Sequence, residues 1–358
     1  MDSNNLLLFF TLIVFSVVFY SCFLFILKRN NSKLFVDNEF SKPQAFHDSP
    51  TPLIGGMCIY ISLLVIYFNF LFFKNLIFLD YILFCTLFFL LGFLDDIKIS
   101  INPKIRLGLM IFFLIILVKY NNIYISKTGI EILNIALDSS DLFSLFFICL
   151  CFLFIINGSN LIDGYNGLLG FHALVITANL FFINYLNGNN ELASFIFFII
   201  LVLIMFLIFN FPKAKIFLGD SGSYLIGTFI ALCTIETSIA NPEISPFYFC
   251  ILLFYLFFEV FFSFFRKIFV QKRSPVKPDD KHLHMLIYKM ILKKNKNKLK
   301  SNYSTSLIIN LIYLIILMPP MFVMLTNQSA TGVFCKYYST LLFLLYFFSY
   351  KKTYDKTN

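Results

Sequence analysis

The chain has 358 residues, a net charge of +9, and 59% hydrophobic against 13% charged residues, with a mean hydropathy of +0.84. Soluble domains carry roughly 25% charged residues, so a water-soluble globule and a disordered polar chain are both excluded. The eight cysteines lie mostly inside apolar runs with no C-x-x-C pair. They read as buried thiols, not as a metal cluster or a secreted disulfide scaffold.

Apolar runs of about 18 residues or more recur from end to end, which marks a polytopic membrane protein. In chain order the expected spans are roughly 5–27, 53–73, 79–94, 105–120, 142–158, 167–186, 192–210, 222–240, 246–268, 305–326 and 333–350. The expected fold class is therefore all-α, with about eleven transmembrane helices in one integral membrane domain over residues 1–358. The first run is too long for a signal-peptide core and lacks a basic leader, so it is read as a transmembrane helix. The pair Pro319-Pro320 is expected to kink the tenth span. With no Trp in the chain, interfacial anchoring falls to Tyr.

Of the 28 Lys and Arg residues, all but Lys74, Lys119, Lys127 and Lys336 fall in loops on one side of this topology. That asymmetry puts the rich side in the cytoplasm, the N-terminus outside and the C-terminus in the cytoplasm. The positive charge is thereby explained by topology and by attraction to anionic lipid heads. Scattered over membrane-proximal loops, it makes no nucleic-acid surface.

The cytoplasmic loops, at about 28–52, 95–106, 157–167, 210–223 and 266–303, carry the unusual polar groups. Asp95 and Asp96 end the third span. They could be a solvated helix end beside Lys98, Lys104 and Arg106, but acids at a helix C-terminus oppose the macrodipole. A carboxylate pair at a lipid–water boundary suits Mg²⁺ binding or proton handling for a phosphate. In "NGSNLIDGYNGL" (157–168), Asn157, Asn160 and Asp163 recur every three residues. On a helix they line one stripe, a hard-oxygen set, with Gly164 and Gly167 allowing a tight turn.

In "FLGDSGS", Asp220 and Ser221 can cap the eighth span, and Gly219 and Gly222 let a ligand approach the backbone. His282 and His284 follow Asp279-Asp280-Lys281. Zinc would want more Cys or His than the chain offers there, so contact with phosphate beside Lys and Arg is preferred. His172 reads as a satisfied helix histidine. Glu259 and Arg266, two turns apart, read as a structural or gating pair.

Together "GFLDDIKISINPKIRL", "NGSNLIDGYNGL", "AKIFLGDSGSYLIG" and "SPVKPDDKHLH" resemble the polyprenyl-phosphate N-acetylhexosamine-1-phosphate transferases, a bacterial membrane family. The segment "VDNEFSKPQAFHDSPTPLIGG" (36–56) is similar to that family's first cytoplasmic loop. The resemblance covers residues 5–326. It implies a multi-pass protein of the bacterial inner membrane whose active site faces the cytoplasm. There a UDP-N-acetylhexosamine would meet polyprenyl phosphate, release UMP and initiate a lipid-linked envelope glycan.

The implied cofactor is Mg²⁺, or Mn²⁺ in its place, held by Asp220 and Asn160. The implied catalytic residues are Asp95 and Asp96 at the lipid phosphate, Asp163 at the sugar diphosphate, and His282 and His284 at phosphate or sugar. Asn157, Asn210 and Phe217 are implied in substrate binding, the last two at the uracil, with Lys104 and Arg106 at the lipid phosphate. A homodimer is compatible with this reading.

Relatives often read D-G-x-D-G-L where Asn166 stands here, and many read H-x-H-H where Met285 stands. The tripled His of the MurNAc-pentapeptide enzyme is absent, and Asp48 replaces its basic residue. An initiator of another glycan is therefore favoured over that translocase. An ion-coupled transporter or flippase is the rival of another class. It would need internal repeats and ionisable groups near the bilayer midplane, where only Glu259 and Glu236 lie deep.

Overall fold

The computed structural model describes residues 3–29, 35–37, 50–74, 78–99, 101–125, 127–274, 280–326 and 331–357. Residues 38–49 of the first expected loop, with His47 and Asp48, and residues 275–279 before the histidine pair lie outside the described residues. The elements in order are α1 (Ser3–Arg29), β1 (Val36–Asp37), β2 (Thr51–Pro52), α2 (Gly55–Lys74), α3 (Leu79–Asp96), α4 (Pro103–Asn121), α5 (Glu131–Ser139) and α6 (Asp141–Ile162). There follow α7 (Leu168–Leu186), α8 (Asn190–Asn210), α9 (Gly219–Ala240), α10 (Pro246–Leu252), α11 (Phe254–Phe265), α12 (Leu283–Asn295), α13 (Lys298–Thr326) and α14 (Thr331–Thr357). A π-helical turn, Arg266–Val270, extends α11. The chain is an all-α membrane protein.

Eight of these helices are long and apolar enough to cross a bilayer, or nine if α10 and α11 form one bent span. Every expected span overlies a helix. The two beyond the nine are α3 and α4, which carry Asp80, Asp95 and Asp96, and Lys104, Arg106 and Lys119, all near their ends. The ninth expected span departs from its reading as one rod, because it bends by 74° between α10 and α11. Two stretches between the expected spans form further helices, α5 and α12. Pro319 and Pro320 lie inside α13, which is assigned as one helix across them.

Contacts between loops sort the connections onto two ends of the bundle. At one end Lys127 Nζ donates to the Pro242 carbonyl, Asn189 to Asn241, and Tyr81 Oη to Glu236. The opposite end gathers the α3–α4, α6–α7 and α8–α9 connections, the α11–α13 segment and the close of α14. There β1 pairs antiparallel with β2, Leu53 bridges to Phe217, and Gly55 and Gly56 donate to the Phe217 and Leu218 carbonyls.

Helix α9 is the axis of the bundle, packed against α2, α3, α6 and α7 and buried over nearly its whole length. Its sequence, GDSGSYLIGTFIALCTIETSIA, is rich in Gly, Ser, Thr and Ala. Where lipid offers no hydrophobic drive between helices, such small residues let backbones close up and gain dispersion contacts. All eight cysteines are free.

Candidate active site

Asp96 closes α3 and is 4% exposed. Its carboxylate accepts from the backbone N–H of Asp220 (2.8 Å) and of Ser221 (3.1 Å), and from the Ser221 hydroxyl. An acid that opposes the dipole of its own helix thus caps the N-terminus of another, where its charge is favoured. The N–H groups expected to receive a ligand anion are occupied by Asp96.

Two glycines make this approach geometrically feasible. Gly219 has φ +77°, and a Cβ there would sit 2.6 Å from the Asp96 carboxylate. A Cβ on Gly92 would meet the Asp220 backbone at 2.4 Å. At both positions a side chain would separate α3 from α9.

Asp95 points to the other side of the same helix end. It forms an ion pair with Arg106 and accepts from the Ile101 N–H at 3.3 Å. The Arg106 guanidinium lies 3.3 Å from Asp220 and faces the Tyr224 ring at 5.8 Å. Asn102 caps α4 and Pro103 stands in its first turn, which starts the helix where Arg106 faces both acids. Lys104, expected beside Arg106, is exposed and makes only a backbone contact with the Asn102 cap.

Asp220 is the most open of these groups, its side chain 36% exposed against 15% for Asp95 and 25% for Arg106. Its second oxygen accepts from Asn160 Nδ2 at 2.8 Å, and that amide also reaches Ser223 at 3.0 Å. Asp163, one residue past α6, is half-buried. Burial, then the charges of Asp220 and Asp96, push its carboxyl well above the usual carboxylate range. Asp95 and Asp220 thus share one guanidinium, while Asp96 is held by the start of α9 and Asp163 lies near enough to feel the charges of Asp220 and Asp96. Asn157, a turn before Asn160, donates to the Leu153 carbonyl of its own helix.

The segment 163–167 joins this cluster to the rest of the end face. Gly167, at φ +77°, donates to Asn210 Oδ1 (2.6 Å), and Asn210 Nδ2 donates to the Ile216 carbonyl (2.8 Å). Asn210 thus spends both ends of its amide tying two connections together. Phe217, half-buried, pairs through its backbone with residues 52–55.

Asn166, the departure from D-G-x-D-G-L, donates through its amide to the Pro212 carbonyl (2.8 Å). Its backbone N–H goes to Asn302. An ionised Asp has no proton for the Pro212 carbonyl, so the amide suits this position. Met285, the other departure, is 1% exposed among core residues.

The histidine pair lies against the same segment. The His284 ring is 5.7 Å from that of Tyr165, and its Nδ1 is 3.2 Å from the Tyr255 hydroxyl. His282 caps α12, and its Nδ1 is 3.1 Å from Glu259. Both imidazoles are at most 2% exposed, and they stack within 4° of parallel. Glu259 therefore faces His282, a partner that the reading of a Glu259–Arg266 pair did not include. His172 is fully buried, with its Nδ1 3.3 Å from Asn310.

The donors suit a hard divalent cation that keeps other ligands. Among the described residues no three or more His, Cys, Asp or Glu side chains are grouped so as to hold a metal ion by themselves. Mg²⁺ fits such a place, since it binds through one or two carboxylates with water and phosphate oxygens completing its shell. Asn160 now turns its amide nitrogen, not its oxygen, to Asp220.

The sequence profile of glycosyl transferase family 4 matches residues 78–238. Undecaprenyl-phosphate alpha-N-acetylglucosaminyl 1-phosphate transferase of Thermotoga maritima is 30% identical over 245 residues, 68% of this chain and 70% of that protein. The chain belongs to glycosyl transferase family 4. Phospho-N-acetylmuramoyl-pentapeptide-transferase of Dictyoglomus turgidum is 36% identical over 202 residues, 54% of this chain and 62% of that enzyme. The Escherichia coli O157:H7 protein with the same name as the Thermotoga one is 26% identical over 289 residues, 79% of this chain and 77% of its own. The resemblance read from the four motifs agrees with this membership. The family match takes in α3 to α9 with all four acids, while Glu259, the histidine pair and α14 lie beyond it.

Proposed function

We propose that the protein transfers an N-acetylhexosamine 1-phosphate from a UDP-sugar to polyprenyl phosphate, releasing UMP, at the cytoplasmic face of the bacterial inner membrane. The observation that carries this reading is the cluster of Asp95 and Asp220 on Arg106, with Asn160 and Asp163 beside Asp220, at one end of an apolar bundle. A lipid phosphate can reach such a cluster with its tail still in the bilayer. The names of the relatives support the chemistry, and the transferase family weighs against a transporter.

The lipid phosphate attacks the sugar-linked phosphorus, and the phosphoanhydride bond to UMP breaks. With its second pKa near 6, the attacking phosphate is already largely deprotonated at neutral pH. Asp95 then has little proton to take, and its part is to hold Arg106 where the guanidinium meets the incoming phosphate. Asp220 would hold a bound Mg²⁺, and Asn160 joins it with its amide turned over. When bound, the cation offsets phosphate charge as the transferred group passes between oxygens. Asp163 orients the sugar diphosphate. Asp96 and Asn210 act through the backbone, one fixing the start of α9 and the other the segment 163–167.

Purified protein is incubated with polyprenyl phosphate, Mg²⁺ and a panel of UDP-sugars that includes UDP-MurNAc-pentapeptide. The expected result is UMP and one lipid-extractable sugar, an N-acetylhexosamine. Exclusive use of the pentapeptide substrate would make the protein the peptidoglycan translocase. Folded protein that releases no UMP from any sugar would end the transferase reading.

A further inference from the structure

The histidine loop is fastened from behind by a helix to which the sequence assigns no role beyond spanning the membrane. Tyr346, Tyr350 and Tyr354 of α14 are four residues apart and so share one face. Their rings stack in a row, with centroids 6.4 and 6.0 Å apart.

Each ring meets a different part of the loop's support. The Tyr346 hydroxyl donates to Glu259 Oε1 at 2.7 Å. Arg266 donates to the Tyr350 hydroxyl at 2.7 Å and lies over that ring. Lys281 Nζ lies 5.5 Å from the centre of the Tyr354 ring.

The two charged groups between ladder and loop complete the connection. Glu259 takes His282 Nδ1 at 3.1 Å and the Leu283 N–H at 3.2 Å, and Arg266 donates to the Lys281 carbonyl. Residues 281, 282 and 283 are thus each gripped through a side chain that rests on α14. Glu259, Arg266 and His282 are all at most 7% exposed. Burying ions costs several kcal/mol apiece unless each is paired and hydrogen-bonded. A loop that needed only anchoring could be held by Leu and Phe, which this chain has in abundance. What ions and hydroxyls add is direction, because they set where an imidazole points.

We propose that the tyrosine ladder of α14 positions the histidine pair for phosphoryl transfer, with Tyr346 and Tyr350 as positioning residues acting through Glu259 and Arg266. This rests on the transferase reading, and its test has one arm that does not. In the full-length purified protein, Tyr346→Phe and Tyr350→Phe keep the stacked rings and remove only the hydroxyls. Hydrogen exchange is followed by mass spectrometry on peptides covering 281–286, where the Leu283 amide reports its bond to Glu259 directly. In parallel, kcat and KM for the UDP-sugar are measured.

Exchange in 281–286 is expected to quicken at least about tenfold with the rest of the chain unchanged. The kcat should fall about tenfold at constant KM. Wild-type exchange in both variants would overturn the proposal whatever the enzyme does. Faster exchange spread equally over α11 to α14 would also overturn it, in favour of general stability. So would locally faster exchange with undiminished kcat in a protein whose wild type is active. A wild type inactive on every sugar is a failure of the transferase reading. The exchange arm then decides whether the ladder holds the loop, and the positioning role falls with that reading.

Discussion

At the carboxylate cluster Asp95 and Asp220 share Arg106, and Asp220, its side chain 36% exposed, sits at the open edge. At the histidine loop, 282–284, the bonded groups are an acid, two imidazoles, an arginine and tyrosine hydroxyls, all buried. The first region is open to solvent at one edge, which suits a place where a charged group can arrive and leave. The second is shut away from solvent, which suits a part that must keep one shape. The two sets of polar groups differ in this molecule by how far water can reach them.

The contrast yields predictions of decreasing size. Removing the most open acid should be most damaging: Asp220→Ala is expected to cut kcat at least about a hundredfold, the scale of losing a principal charge-stabilising group. The helical far-ultraviolet circular dichroism should be unchanged. Near-normal turnover would place the chemistry elsewhere.

Asp96 belongs with the buried groups although it sits in the cluster. Asp96→Asn leaves an N–H donor to α9 unsatisfied or opposed, and should cost about 1–3 kcal/mol of stability. That is read as earlier loss of the monodisperse size-exclusion peak on heating in detergent. An Asp96→Asn protein as heat-resistant as wild type would return Asp96 to the reacting groups.

The burial of Asp163 also has a pH signature. The folded protein holds the Asp163 proton to a higher pH than the unfolded chain, whose Asp titrates near 3.9. Between the two values the folded state binds more protons, so its stability falls as pH rises through that window. A divalent cation should offset this loss. Stabilisation by Mg²⁺ should therefore grow with pH over this window and shrink in Asp163→Asn. A pH-independent Mg²⁺ effect would refute the link.

The smallest effect is expected at Asp280, paired with Lys289 at 2.6 Å and half exposed. Lys289 holds its carboxyl below the usual range. Its contribution is therefore present above the unfolded pKa and lost as pH falls through the folded one. Screening by solvent keeps Asp280→Asn within about 1 kcal/mol, measured by the same heating assay.

The helices were legible because apolar run length alone marks a span, and Lys104, Arg106 and the acids fall at helix ends where water can reach them. The 74° bend was not, since "CILLFYLFF" is uniformly apolar and contains neither Pro nor Gly. The acids of the cluster were each legible as polar residues ending apolar runs. Their division of labour was not: the bond from Asp96 to Ser221 crosses 125 residues, and nothing local distinguishes Asp96 from Asp95. Asn210 entered the site only through the family resemblance, and its two backbone partners, 43 and 6 residues away, were not legible in the sequence. Tyr346 and Tyr350 were hidden among 19 Tyr in the chain, and only their four-residue spacing toward a buried Glu could have marked them.

The carboxylate lodged at the start of α9 has an electrical consequence. A helix N-terminus ordinarily lures anions, and here that lure is already neutralised from within. An anion approaching this rim therefore finds two of the N–H groups at the start of α9 already taken, and the guanidinium of Arg106 as the cation beside Asp95 and Asp220. The draw on anions at this end thus passes from a helix terminus to a side chain, whose position α4 sets.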